Sequence, residues 1–80
     1  MIISKNVKNA LIEQNMKNSL IINNIISDIN TDSGVSKLEV FHLGLELGIL
    51  YSFELETSTY GIENEIKETI EKLKEYLLNY

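Results

Sequence analysis

The chain contains no cysteine, so no disulfide can brace it. It contains no proline and only four glycines, so few residues can break a helix, and long helices are favoured. It contains no arginine: all seven basic residues are lysines, set against twelve acids, for a net charge of −5. Nucleic-acid interfaces rely on a basic stripe and on arginine to grip phosphates and base edges, so this composition weighs against a nucleic-acid binder. Long apolar runs are lacking too. The most apolar stretch, Val40 to Leu55, is interrupted by His42, Glu46, Ser52 and Glu54. A membrane span needs about 20 mostly apolar residues, so none is expected. Met1-Ile2-Ile3-Ser4 runs straight into Lys5, Asn6 and Lys8 without an apolar core of signal-peptide type. The expected location is the cytoplasm, and the missing cysteines suit a reducing compartment.

Eighty residues make a single domain, 1–80, with a thin core. A chain of this size buries only about 60% of its unfolded surface, and such domains often gain stability by oligomerising. The abundance of Ile, Asn and Lys is that of AT-rich bacterial or phage genomes, and a phage or mobile-element origin is an expectation on that ground alone.

What is present reads as an all-α fold: a three-helix bundle, or a helical hairpin plus a third helix, over about 4–29, 36–56 and 61–79. In the first segment Val7, Ala10, Leu11, Ile21, Ile22, Ile25 and Ile29 share one stripe at 100° per residue, which predicts one long helix. Gln14, Asn15 and Asn18 interrupt that stripe. They mark either a solvent-exposed weak point or a buried polar layer. In the second case Asn18 sets helix register, as a core Asn does in a coiled coil. Asn30-Thr31-Asp32-Ser33-Gly34 is turn chemistry, with Gly34 able to take positive φ without steric cost. Ser36-Lys37-Leu38-Glu39 is a capping box that opens the second helix. The third helix carries Ile62, Ile66, Ile70, Leu73, Leu77 and Tyr80 on one stripe, with Glu63–Lys67 and Glu68–Lys72 as solvated i,i+4 pairs.

The second helix is the unusual one. From Phe41 to Leu55 every odd position is apolar, an alternation that also suits a strand. A fifteen-residue strand is far longer than the usual ~5–6 residues, and Leu and Glu favour the helix. Read as a helix, it is apolar on two sides. Leu38, Phe41, Leu45 and Ile49 form one; Val40, Leu43, Leu47, Leu50 and Tyr51 form the other. One small chain cannot cover both. The expectation is a homodimer, or a partner interface, built on Val40, Leu43, Gly44, Leu47, Gly48, Leu50 and Tyr51. Gly44 and Gly48 would there allow close backbone approach. Glu39, Glu46, Glu54 and Glu56 are expected to make an acidic face, since residues 31–59 hold only Lys37 against these acids and Asp32.

Motifs for chemistry are sparse. Glu39-Val40-Phe41-His42 has the Glu-x-x-His spacing of di-metal bundles, but one chain supplies one such motif where two are needed. A single His and no Cys leave no basis for a nucleophilic triad. No phosphate-binding glycine pattern exists. No catalytic residue, metal or cofactor is therefore assigned. The functional expectation is a small acidic interaction module that inhibits, adapts or regulates a larger protein. The alternative is a dimeric transcriptional or plasmid-maintenance regulator that contacts DNA.

Overall fold

The second helix begins where the capping box puts it. In a computed structural model that describes residues 1–79, the Ser36 hydroxyl oxygen accepts from the Glu39 N–H at 3.2 Å. Glu39 Oε1 in turn accepts from the Ser36 N–H at 3.2 Å. Among the described residues the chain forms four α-helices and no strand: α1 (Lys5–Gln14), α2 (Ser19–Thr31), α3 (Lys37–Thr57) and α4 (Glu63–Leu78). The all-α fold stands, with no strand over 41–55.

The single first helix does not. It breaks at Asn15, and a 3-10 turn, Met16–Asn18, separates α1 from α2. The cause is local. Asn15 leaves the helical region at φ −126°, ψ 49°, and its side chain donates at 2.9 Å to the Leu11 carbonyl that its own N–H also reaches at 3.0 Å, so one residue caps the end of α1. The gain is global. An unbroken helix over 4–29 would be about 39 Å long at ~1.5 Å per residue, longer than the molecule's greatest extent of 34 Å. Broken, α1 folds against α2, and both pack on α3. The break also resets the helical phase. Ile26 is buried in place of Ile21, while Val7, Ala10, Leu11, Ile22, Ile25 and Ile29 hold the core as their stripe predicts. Asn18 is exposed at the break, so it forms no buried register-setting layer within the chain.

The core closes with α3 and α4, the most extensively packed pair of helices. Val40, Leu43, Leu47 and Leu50 of α3 meet Ile66 and Leu73 of α4 and the isoleucines of α2. Ile70 and Ile62 pack at the margin, Leu77 is about one-third exposed, and Tyr80 lies outside the described residues. Among the described residues the ion pair on α4 is Lys74–Glu71 at 4.0 Å, not the two i,i+4 pairs expected. Outside the helices, Ile3 and Val35 are also buried. The Ile3 N–H donates to Asn30 Oδ1 at 2.7 Å, which ties the first residues to the end of α2.

Two helices end on left-handed residues other than glycine: Asp32 (φ 53°) closes α2 and Ser58 (φ 51°) closes α3. Asp32 has a compensating contact, since its Oδ1 accepts from the Tyr76 hydroxyl at 2.9 Å across to α4. For the Ser58 side chain no such bond exists among the described residues. Ser58→Gly should therefore relieve the Cβ strain and raise stability by about 0.5–1 kcal/mol. A thermal melt should move upward by about 2–8 °C. An unchanged or lower midpoint would show that this cap is unstrained.

Candidate functional site

The helical period decides which side of α3 goes inward. Val40, Leu43, Leu47 and Leu50 are all buried, and Tyr51 is half-buried beside them. The surface expected to receive a partner is thus the inner face of the protein's own core. The thin core of a short chain needs its most continuous apolar side, and these four residues belong to the core cluster that α3 forms with α1, α2 and α4. The opposite side stays outside. Leu38 is 77% exposed, Phe41 58%, Leu45 54%, Ile49 61% and Leu55 55%. These residues run the length of α3 as one stripe.

The two helical glycines lie on the edge of that exposed stripe. A Cβ on Gly44 would sit 3.6 Å from Leu73 Cδ2, an ordinary van der Waals contact. A Cβ on Gly48 would meet nothing within 4 Å. Neither glycine is required by packing inside the chain, though each weakens the helix by about 1 kcal/mol relative to Ala. Beside Gly44, Phe41 and Leu45 of α3 and Ile70 and Leu77 of α4 flank a shallow groove of about 200 Å³. It carries the apolar surface from α3 onto α4.

The acidic face is not a single face. Glu56 is exposed. Glu39 is engaged in the capping box. Glu46 lies 3.8 Å from His42 Nε2 and is mostly covered. Glu54 is fully buried. Its Oε1 accepts from the Tyr60 N–H at 2.7 Å and its Oε2 from the Ile62 N–H at 3.1 Å. Ile62 occupies the N-cap of α4 and has no side-chain cap of its own. Glu54 therefore holds the α3–α4 turn and faces the positive end of the α4 dipole, a structural task rather than a docking one. The sequence hint was its position: Glu54 falls on the Leu43–Leu47–Leu50 side of the helix, where a solvated acid has no place.

Among the described residues no three His, Asp or Glu side chains come together as metal ligands would. No helix among them is long and apolar enough to cross a membrane. Ile2, Met16, Leu20, Ile21 and Leu78 are exposed too, but the α3 residues make the longest run of exposed large apolar side chains on one helix. No family model matches the chain, and no curated protein or solved structure is significantly similar to it.

Proposed function

We propose that this chain is a protein–protein interaction module whose working surface is the exposed apolar stripe of α3. The observation that carries this reading is the stripe itself, five large apolar side chains more than half exposed on one helix. Soluble monomers rarely leave a contiguous apolar patch of more than a few hundred Å² in water. An amphipathic surface of this shape accepts another helix laid along it. The biological role in keeping with an acidic, arginine-free chain is inhibition, adaptation or regulation of a larger protein rather than DNA contact.

The test uses Phe41→Glu, an exposed position whose change should leave the melting temperature within a few degrees. Proteins captured by the parent chain and lost with Phe41→Glu would support the α3 surface. Equal capture by both would remove it. A salt-sensitive shift of duplex DNA by the parent chain would favour the DNA-regulator alternative instead.

A further inference from the structure

The exposed seam of α3 has an internal order of sizes. Leu38, Phe41, Leu45, Gly48, Ser52 and Leu55 follow one another at intervals of three and four residues, the spacing of coiled-coil core positions. All six lie on the exposed side of the helix and none carries a charge. The order is complementary to its own reverse. Laid antiparallel about the midpoint between Glu46 and Leu47, Leu45 falls opposite Gly48 of a second helix. Phe41 then falls opposite Ser52, and Leu38 opposite Leu55. Large meets small in the middle layers and medium meets medium at the ends. A parallel pairing would instead stack Phe41 on Phe41 and Gly48 on Gly48, alternating clash with void.

We infer that the occupant of the α3 face is a second copy of this chain, paired antiparallel so that Leu45 of each copy packs over Gly48 of the other. The inference rests on reading that face as an interface, and it narrows the partner from any protein to this one. It also accounts for Gly48, which packing within the chain does not: the missing side chain is the hole that receives Leu45. Leu38, Phe41, Leu45 and Leu55 of the seam, with Ile49 on its flank, present on the order of 500 Å² per copy, so complete mutual coverage would bury at most about 1,000 Å², the floor for a specific interface. A two-fold axis makes such a contact closed, so it stops at the dimer.

The experiment is sedimentation equilibrium at micromolar concentration on four samples: the parent chain, Leu45→Glu, Gly48→Lys, and an equimolar mixture of the two variants. Both positions open to solvent in the protomer, so far-UV spectra and melts at low concentration should show folded protein throughout. The parent should sediment as a dimer. Each variant alone should be weakened by on the order of 100-fold or more, since it would bury charges without partners. The mixture should recover a dimer. There the carboxylate introduced by Leu45→Glu meets the ammonium introduced by Gly48→Lys, while the second layer keeps its native Leu–Gly pair. A dimeric parent whose mixture fails to recover would overturn the antiparallel register. A monomeric parent would overturn self-pairing. The interaction-module reading would survive that second result if Phe41→Glu still abolished capture of another protein, and would fall with it if capture were unaffected.

Discussion

Replacing Glu54 with Ala should cost about 3 kcal/mol, a substantial part of the stability of so small a domain. The carboxyl group is fully buried and accepts two backbone N–H bonds, from Tyr60 at 2.7 Å and Ile62 at 3.1 Å. Removing it strands both donors in a turn where the half-buried Tyr60 ring lies 6.4 Å from that of Phe53. A fully buried stranded donor costs about 1–3 kcal/mol, and these two, on half-buried residues, add to the loss of filling where the carboxyl group sat. A domain of this size has a total stability of about 4–12 kcal/mol, so the loss is a large share. The substitutions should rank by how many acceptors they retain. Glu54→Gln keeps one oxygen and turns an NH₂ toward the other N–H, so its loss should be smaller but clear. Glu54→Leu fills the volume, offers no acceptor and should resemble Ala. Urea titration followed by circular dichroism would measure the series. Were Gln and Leu to lie within about 0.5 kcal/mol of the parent, the size of an ordinary surface substitution, Glu54 would not be holding the turn.

Glu54 also marks where sequence reading stops. The capping box was legible because both its bonds are local, within four residues. The stripes of α1, α2 and α4 were legible because each helix has one apolar side. Three features were not. The break at Asn15 turns on one residue leaving the helical region while its side chain and N–H both close on the Leu11 carbonyl, with helical propensity alone pointing the other way. Ile21 and Ile26 exchanged places because the break reset the phase, which a continuous 100° wheel cannot show. Glu54 looked like one more acid on an acidic segment, since its partners, the N–H groups of Tyr60 and Ile62, are invisible until the turn is folded. The candidate site was half legible. That α3 carries two apolar sides follows from its residues; which side faces α2 and α4 depends on tertiary packing.

That choice of side makes a sharp expectation for two leucines separated by one residue. Leu47→Ala should destabilise the protein by about 2–5 kcal/mol, as core truncations do, whereas Leu45→Ala should change protomer stability by less than about 0.5 kcal/mol. Leu47 is completely buried, and Leu45 is more than half exposed. The chemistry of the change is the same in both. Two residues span 200° of helix, so the alternation that imitates a strand from Phe41 to Leu55 places successive odd positions on nearly opposite faces. Phe41, Leu45 and Ile49 look outward, while Leu43 and Leu47 look inward. Removing Leu47 empties space in the core that α3 shares with the other three helices. Removing Leu45 leaves water where water already reached. Urea midpoints should be taken at submicromolar protein, where self-association contributes least, and converted with a common slope of ~1 kcal/mol per molar. At that slope the Leu47 variant should lose about 2 M or more of its midpoint, and the Leu45 variant about 0.5 M or less. Equal losses would mean that Leu45 is as buried as Leu47 in solution, with its face covered even at the lowest concentration. A larger loss at Leu45 would reverse the assignment of core and surface along α3.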